Sequence, residues 1–134
     1  MKKYLVFGAN GLIGRTIGKQ LEGRCEWFGT YYKRKEPGLI KVDITWIDNL
    51  KEIFDEKRPN CVVNCTNLAG GVDFCESHPS LAEKFHLEAN ISIGKLCEKY
   101  DSRMVLISTD YVFDGENTPY KEEDEPNPLN IYGR

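Results

Sequence analysis

Short apolar segments alternate with longer amphipathic segments along the whole 134-residue chain, and this order restricts the fold more than any other feature. The segments that read as strands are 3–7, 25–32, 39–42, 60–64 and 104–107. The segments that carry apolar residues at helical spacing are 12–21, 43–57 and 79–100. Short strands that alternate with helices are typical of a parallel sheet covered on both faces. Right-handed crossovers then predict an α/β fold with a doubly wound parallel sheet, a Rossmann-like arrangement.

Residue types at the segment boundaries refine this prediction. Asp43 or Thr45 can cap the second helix, and Pro79 can occupy the first turn of the long third helix. The apolar residues on one face of these two helices are the core candidates: Ile47, Leu50, Ile53, Phe54, Leu81, Phe85, Ile93, Leu96 and Cys97. The glycine-rich stretch 67–73 and the proline-containing stretch 115–130 are predicted to be loops.

Composition bounds the size and class of the protein. The chain has 40% hydrophobic and 29% charged residues, which is the balance of one globular domain over residues 1–134. Its net charge of −3 offers no basic surface for nucleic acid. No apolar run approaches the roughly 20 residues of a spanning helix, so no membrane partner is predicted. The five cysteines show no C-x-x-C spacing, and we expect a cytoplasmic protein with reduced thiols and no metal site.

The strongest local signal is the glycine loop, residues 8–14, which follows the first strand and opens the first helix. Gly8 lets the chain leave the strand sharply, Gly11 leaves room for a diphosphate, and Gly14 lets the helix pack close to the sheet. Free N–H groups at the helix N-terminus favour phosphate. The residues predicted to bind a dinucleotide here are Gly8, Asn10, Gly11, Leu12, Ile13 and Gly14. A purely structural turn is the alternative.

The end of the second strand bears on the choice of dinucleotide. An acidic residue there binds the ribose 2′-OH of NAD, whereas this chain has Lys33 and Arg34 and no acid before Glu36. Cations suit a 2′-phosphate, so we favour NADP(H) over NAD(H). Arg15 can add to this charge, and a solvated charged turn is the alternative. Asp43, after the third strand, either accepts from the adenine amino group or only caps the helix.

Hydroxyl-bearing residues follow the last predicted strand, in segment 108–115, and a tyrosine stands at Tyr132. In a doubly wound fold, residues at the carboxyl ends of strands lie at the edge where ligands bind. A tyrosine can exchange a proton with a carbonyl or an alcohol when a nearby cation lowers its pKa. These residues therefore indicate a reaction site.

With these motifs the chain resembles the extended short-chain dehydrogenases/reductases and, within them, the dTDP-4-dehydrorhamnose reductase branch. The matching segments, in order, are GANGLIG (8–14), VDIT (42–45), RPNCVVNCT (58–66), VDFCESHP (72–79), STDYVFDG (108–115) and PLNIYGR (128–134). The last two together are highly specific to this branch. The branch also includes the non-catalytic regulatory beta subunit of methionine adenosyltransferase, which shares the basic turn and the run 110–124.

The resemblance implies an NAD(P)H-dependent oxidoreductase that reduces a 4-keto group on a nucleotide-linked 6-deoxysugar. It implies that Tyr132 donates the proton and that Thr109 orients the carbonyl oxygen. Cys65, Thr66 and Asn67 match the loop that passes along the cofactor. Asp43 and Ile44, in the 42–45 match, complete the predicted cofactor site.

Two features depart from the branch. Its tyrosine is followed four residues later by a lysine, a position beyond Arg134, so we expect a chain truncated before the last strands and the C-terminal substrate region. We expect such a fragment to be inactive alone and to present an open sheet edge, and a homodimer stays open. Where many members have asparagine, His86 takes a polar structural role or is an ordinary helix residue. An NADP-binding regulatory module and a nucleotide-sugar epimerase or dehydratase are the alternative functions.

Overall fold

The computed structural model describes residues 1–134 and contains one parallel sheet of five strands. The strands are β1 Lys3–Phe7, β2 Glu26–Tyr31, β3 Ile40–Lys41, β4 Cys61–Asn64 and β5 Arg103–Leu106. Their order across the sheet is β3-β2-β1-β4-β5, and every neighbouring pair is parallel. The strand order therefore reverses between β1 and β4, which opens a crevice at their carboxyl ends. The prediction of a doubly wound α/β fold is confirmed.

Helices connect the strands. They are α1 Leu12–Leu21, α2 Ile47–Lys57, α3 Gly71–Ser77, α4 Pro79–Ala82 and α5 Ala89–Lys99. A π-helical segment, Glu83–Glu88, joins α4 to α5, and a short 3-10 turn, Asp110–Val112, follows β5. None of these helices has the length and apolar composition needed to cross a lipid bilayer.

Alternate residues of β1 supply the two faces of the core. Leu5 and Phe7 join the larger cluster, which α2 covers with Leu50 and Phe54 and α5 with Ile93. Val6, between them in sequence, joins the smaller cluster on the face covered by α1. Side chains alternate between the two faces of a strand, and helices cover both faces here. This explains why three consecutive residues of the central strand, Leu5, Val6 and Phe7, are apolar and fully buried.

Several local expectations are wrong. Helix α2 begins at Ile47, because Asp43 is engaged in a turn with Thr45 and neither residue caps the helix. Ile47 and Leu81 are exposed rather than in the core. The stretch 67–73 is not wholly a loop, since α3 begins at Gly71.

Strand β5 lies at the edge of the sheet and pairs only with β4. Its apolar residues Val105 and Leu106 are exposed. Within residues 1–134, β5 is therefore an edge strand with one unpaired side.

The core assignment predicts a difference between two isoleucines of α5. Ile93 is fully buried, whereas Ile91 is 47% exposed on the same helix. We expect Ile93→Ala to lower the free energy of unfolding by about 2–5 kcal/mol, because it removes buried apolar atoms and leaves a cavity. Ile91→Ala, the matched control, should change it by less than about 0.5 kcal/mol. Urea denaturation followed by circular dichroism measures both, and equal losses would contradict this packing.

Candidate functional site

The glycine loop is folded so that helix α1 starts directly over the end of β1. Gly8 adopts a left-handed φ of 72°. A Cβ atom at Gly14 would lie 2.3 Å from the Gly8 carbonyl oxygen and 2.8 Å from Ala9 Cα. Both neighbours are backbone atoms, so only glycine fits at position 14. This close approach places the first turn of α1 over the switch point of the sheet.

The first turn of α1 leaves backbone donors unused. Gly11 precedes the helix without a side-chain cap, and the turn contains no acidic residue. The Gly11 amide is bonded to the Gly8 carbonyl, whereas the amides of Leu12, Ile13 and Gly14 have no acceptor within the chain. Leu12 and Ile13 are exposed. Free N–H groups with the positive end of the helix dipole form a setting that fits a diphosphate.

The basic turn after β2 lies against this loop. Arg34 Nη2 donates to the Asn10 carbonyl oxygen at 3.1 Å, and Asn10 Nδ2 donates to the Arg34 carbonyl oxygen at 2.9 Å. Arg15 is paired with Glu36, with 3.0 Å between Nη2 and Oε2. The first acid after β2 is therefore engaged by a cation of α1. The predicted residues Asn10 and Arg34 thus meet at one end of the glycine loop.

Asp43 and Ile44 follow β3 with different orientations. Asp43 Oδ1 accepts from the Thr45 amide at 2.9 Å and from the Thr45 hydroxyl at 2.7 Å. Ile44 is buried in the larger core cluster, so its side chain faces the core. The second carboxylate oxygen of Asp43 has no hydrogen bond within the chain and could accept one from a ligand. The Ile44 side chain, being in the core, could not contact a ligand at this edge.

The loop after β4 adjoins the glycine loop. A Cβ atom at Gly8 would lie 3.1 Å from both the Cys65 carbonyl oxygen and the Thr66 amide nitrogen. Burial raises the pKa of the Cys65 thiol, so that the thiol is uncharged at neutral pH. Asn67 is exposed beside them. The predicted residues Cys65 and Thr66 are therefore brought to the glycine loop.

A buried polar chain fixes Thr66. The Thr66 amide and hydroxyl donate to Asn64 Oδ1 at 3.1 and 2.7 Å. Asn64 Nδ2 donates to Asn90 Oδ1 at 2.7 Å, and Asn90 Nδ2 donates to the His86 carbonyl oxygen at 2.7 Å. Because Asn64 is 2% exposed, these bonds satisfy an amide that would be costly to bury alone. The chain links the end of β4 to the long helix.

A cleft of about 330 Å³ lies at the carboxyl end of β5, and we call it the Tyr132 cleft. The residues that define it are Thr66, His86, Asn90, Thr109, Ile131 and Tyr132. The two predicted catalytic residues, Thr109 and Tyr132, therefore line the same space. Thr66 belongs both to this cleft and to the loop against Gly8, so the cleft and the glycine loop adjoin.

Contacts with α3 and with the 3-10 turn, and one bond within the segment, hold the residues around Tyr132 in place. The Ile131 amide donates to Glu76 Oε1 of α3, and the Gly133 amide donates to Asn130 Oδ1 at 2.8 Å. A Cβ atom at Gly133 would lie 2.0 Å from the Tyr111 carbonyl oxygen, so the segment packs directly on the 3-10 turn. Thr109 caps that turn, since its Oγ1 accepts from the Tyr111 amide at 3.3 Å.

The loop after the 3-10 turn is organised around Asp114. Its carboxylate accepts from the Tyr120 hydroxyl, the Glu116 amide and Asn127 Nδ2. These bonds, that of Tyr120 first, lower the pKa of Asp114 to about 2. The Tyr120 ring also stacks on Phe113 with centroids 4.1 Å apart. The predicted loop 115–130 is therefore ordered by one carboxylate.

Sequence reasoning missed the polar residues that support the site. Asn64 could have been recognised from the sequence, because an amide side chain within an otherwise apolar strand needs hydrogen-bond partners when it is buried. Asn90 and Glu76 could not, since a polar residue on a helix cannot be told from an ordinary surface residue unless its distant partner is known.

Comparisons with known proteins agree with this architecture. A family described as "RmlD substrate binding domain" matches residues 1–134. The chain belongs to this family. It is 39% identical to a hypothetical dTDP-4-dehydrorhamnose reductase from Sulfolobus tokodaii, whose crystal structure superimposes with a TM-score of 0.92 over 99% of this chain and 48% of that one.

Two further relatives bear on function. A dTDP-4-dehydrorhamnose reductase from Bacillus anthracis, solved in complex with NADP, is 29% identical with a TM-score of 0.87, over 99% of this chain and 46% of that one. The methionine adenosyltransferase 2 subunit beta of Bos taurus is 33% identical over 99% of this chain and 40% of its own length. The chain thus spans less than half the length of these relatives.

The close approach at Gly14 predicts opposite effects for two helical glycines. Alanine favours a helix by about 1 kcal/mol over glycine. Gly94→Ala in α5 should raise the free energy of unfolding by about this amount, because the nearest heavy atom to its Cβ would be Met104 Sδ at 3.8 Å. Gly14→Ala should lower it by about 1–3 kcal/mol through overpacking against the backbone of Gly8. Thermal denaturation compares the two, and a stabilised Gly14→Ala variant would rule out this geometry.

Proposed function

We propose that the chain is the NADP(H)-binding part of a reductase that acts on a nucleotide-linked 4-keto-6-deoxysugar. The observation that supports this most is that the glycine loop and the Tyr132 cleft meet at Thr66. A dinucleotide whose diphosphate lies on the amides of Leu12 and Ile13 has a direct path past Thr66 to a cleft lined by Thr109 and Tyr132. This is the arrangement that a nicotinamide-dependent reduction needs.

The chain's own residues supply distinct parts of such a reaction. When bound, NADPH supplies the hydride for the carbonyl carbon of the sugar. The Thr109 hydroxyl, which donates to Asp110 Oδ1 at 3.3 Å in the unliganded chain, turns to donate to the carbonyl oxygen and holds it in place. The Tyr132 phenol gives its proton to that oxygen, so that an alcohol forms and a phenolate remains. By resemblance, a lysine four residues after Tyr132 supplies the cation that stabilises this phenolate.

The preference for NADP(H) is supported by charge around the glycine loop. Arg34 is tied to Asn10, and Lys33 is next to it in the turn. Both carboxylate oxygens of Glu36 already accept from Arg15 Nη2, at 3.3 and 3.0 Å. Guanidinium groups bind phosphate by charge-assisted, often bidentate bonds. A 2′-phosphate therefore gains more from this turn than a 2′-hydroxyl does.

We expect Arg34→Ala to weaken NADPH binding by about 10- to 100-fold, because it removes a charge-assisted hydrogen bond worth about 1.5–3 kcal/mol. NADH binding should change much less. Titrations of nicotinamide fluorescence measure both affinities. Arg24→Ala removes the same charge at the opposite end of β2 and is the matched control. Equal weakening of NADPH and NADH would contradict the proposed preference.

A second candidate is an NADP-binding regulatory subunit without turnover. The 33% identity to the beta subunit of methionine adenosyltransferase 2 favours it. Both candidates predict nucleotide binding, so binding alone does not separate them. The regulatory candidate predicts no NADPH oxidation with a keto-sugar and stable association with a catalytic partner protein.

Turnover separates the two candidates. The coding sequence after codon 134 should give a lysine as the second following residue, and the protein containing it should oxidise NADPH when dTDP-4-dehydrorhamnose is added. Tyr132→Phe keeps the ring but removes the proton, and proton transfer by a positioned side chain contributes about 10²- to 10⁴-fold. We expect a loss of kcat in that range. Tyr4→Phe is the control, because Tyr4 lies near the amino end of β1, outside the cleft. Absence of the lysine, or of NADPH oxidation, would favour the regulatory subunit.

A further inference from the structure

His86 lies on the one irregular turn of the long helix. The π-helical segment Glu83–Glu88 accommodates an extra residue between α4 and α5, and such turns recur at functional sites. The carbonyl oxygen of His86 is bound by Asn90 Nδ2, and Asn90 is bound in turn by Asn64 of β4. The turn that carries His86 is thus anchored to the carboxyl end of the sheet.

The imidazole ring of His86 packs edge-on against the phenol ring of Tyr132, with centroids 5.1 Å apart and an interplanar angle of 76°. Tyr111 contacts the same phenol from the 3-10 turn, at 5.9 Å and 69°. Tyr132 therefore stands between two aromatic rings that belong to different elements. Edge-to-face pairs of this kind are favourable and directional.

No hydrogen bond determines the orientation of the His86 ring. Its Nε2 atom is buried and has no hydrogen-bond partner. It is the one buried side-chain nitrogen or oxygen of the chain that lacks a partner. Burial also lowers the pKa of His86, so the ring is uncharged at neutral pH. An unpartnered buried nitrogen is unfavourable. The ring is therefore held by its aromatic contacts, with Tyr132 and with Phe85.

We propose that His86 is the positioning residue for Tyr132: its ring, carried by the π-helical turn, fixes the phenol in the cleft that it shares with Thr109. This rests on the proposed function, in which Tyr132 donates the proton. Positioning by ring contact requires a ring at position 86, not an imidazole nitrogen. The proposal therefore distinguishes two substitutions of the same residue.

The variants are His86→Ala, which removes the ring, and His86→Phe, which keeps a ring and removes the unpartnered nitrogen. His78→Ala is the control, because His78 is exposed and stacks on Phe74 instead, with centroids 4.1 Å apart. The first measurement is the NMR signal of the Tyr132 ring in protein with labelled tyrosine, assigned with Tyr132→Phe. The second is kcat and KM for the keto-sugar, measured in the longer protein that contains the lysine four residues after Tyr132.

We expect His86→Ala to move the Tyr132 signals toward those of exposed tyrosines and to lower kcat by about tenfold, which corresponds to about 1.4 kcal/mol, with little change in KM. His86→Phe should keep the Tyr132 signals dispersed and kcat within about twofold of the unchanged protein. Unchanged Tyr132 signals in His86→Ala, or equal effects of the two variants, would overturn the proposal.

A reciprocal measurement does not depend on the folding of His86→Ala. The chain contains only two histidines, His78 and His86, so their imidazole signals are resolved directly. Tyr132→Leu should shift the signals of His86 and leave those of His78 in place, and an unchanged His86 would overturn the proposal. If the ring signals behave as expected but no variant turns over, the positioning stands and the proposed reaction fails.

Discussion

The contact between the start of helix α1 and the carbonyl oxygen of Gly8 is the constraint on which the rest of the structure depends. It determines where the helix begins, and the first turn contains the unpaired amides of Leu12 and Ile13. It also leaves the Gly8 backbone exposed to the loop after β4, where Cys65 and Thr66 lie against it. A side chain at position 14 would meet the backbone of Gly8 and Ala9 and push the helix away from the end of β1.

From that contact the site extends in two directions. Toward β2, the side chains of Asn10 and Arg34 each donate to the other residue's carbonyl oxygen. These two hydrogen bonds join the glycine loop to the cationic turn. Toward β5, Thr66 leads into the Tyr132 cleft, whose walls come from the long helix, the 3-10 turn and the final segment. The family match over the whole chain agrees with this reading of the fold.

The doubly wound α/β fold was predictable because it follows from short-range patterns. Apolar strands, amphipathic helices and three spaced glycines each leave a periodic signal. The wrong predictions concern residues whose local structure is determined by contacts that the local sequence pattern does not show. Asp43 is a good capping residue in isolation, yet its carboxylate is taken by Thr45. Leu81 lies at helical spacing, but α4 and the π-helical segment rotate the following residues, and such a turn has no known signal in a single sequence. Asn90 and Glu76 gain their importance from partners 26 and 55 residues away.

The amides of Asn64 and Asn90 have a further consequence. Each accepts through its oxygen and donates through its nitrogen, so the bonds run in one direction from Thr66 to the His86 carbonyl. Neither amide can be reversed without placing two acceptors, or two donors, face to face. Deamidation of either residue would convert the donor to a second acceptor and introduce a negative charge. Chemical ageing at a single nitrogen atom would thus break a bond in the chain that joins the loop after β4 to the long helix.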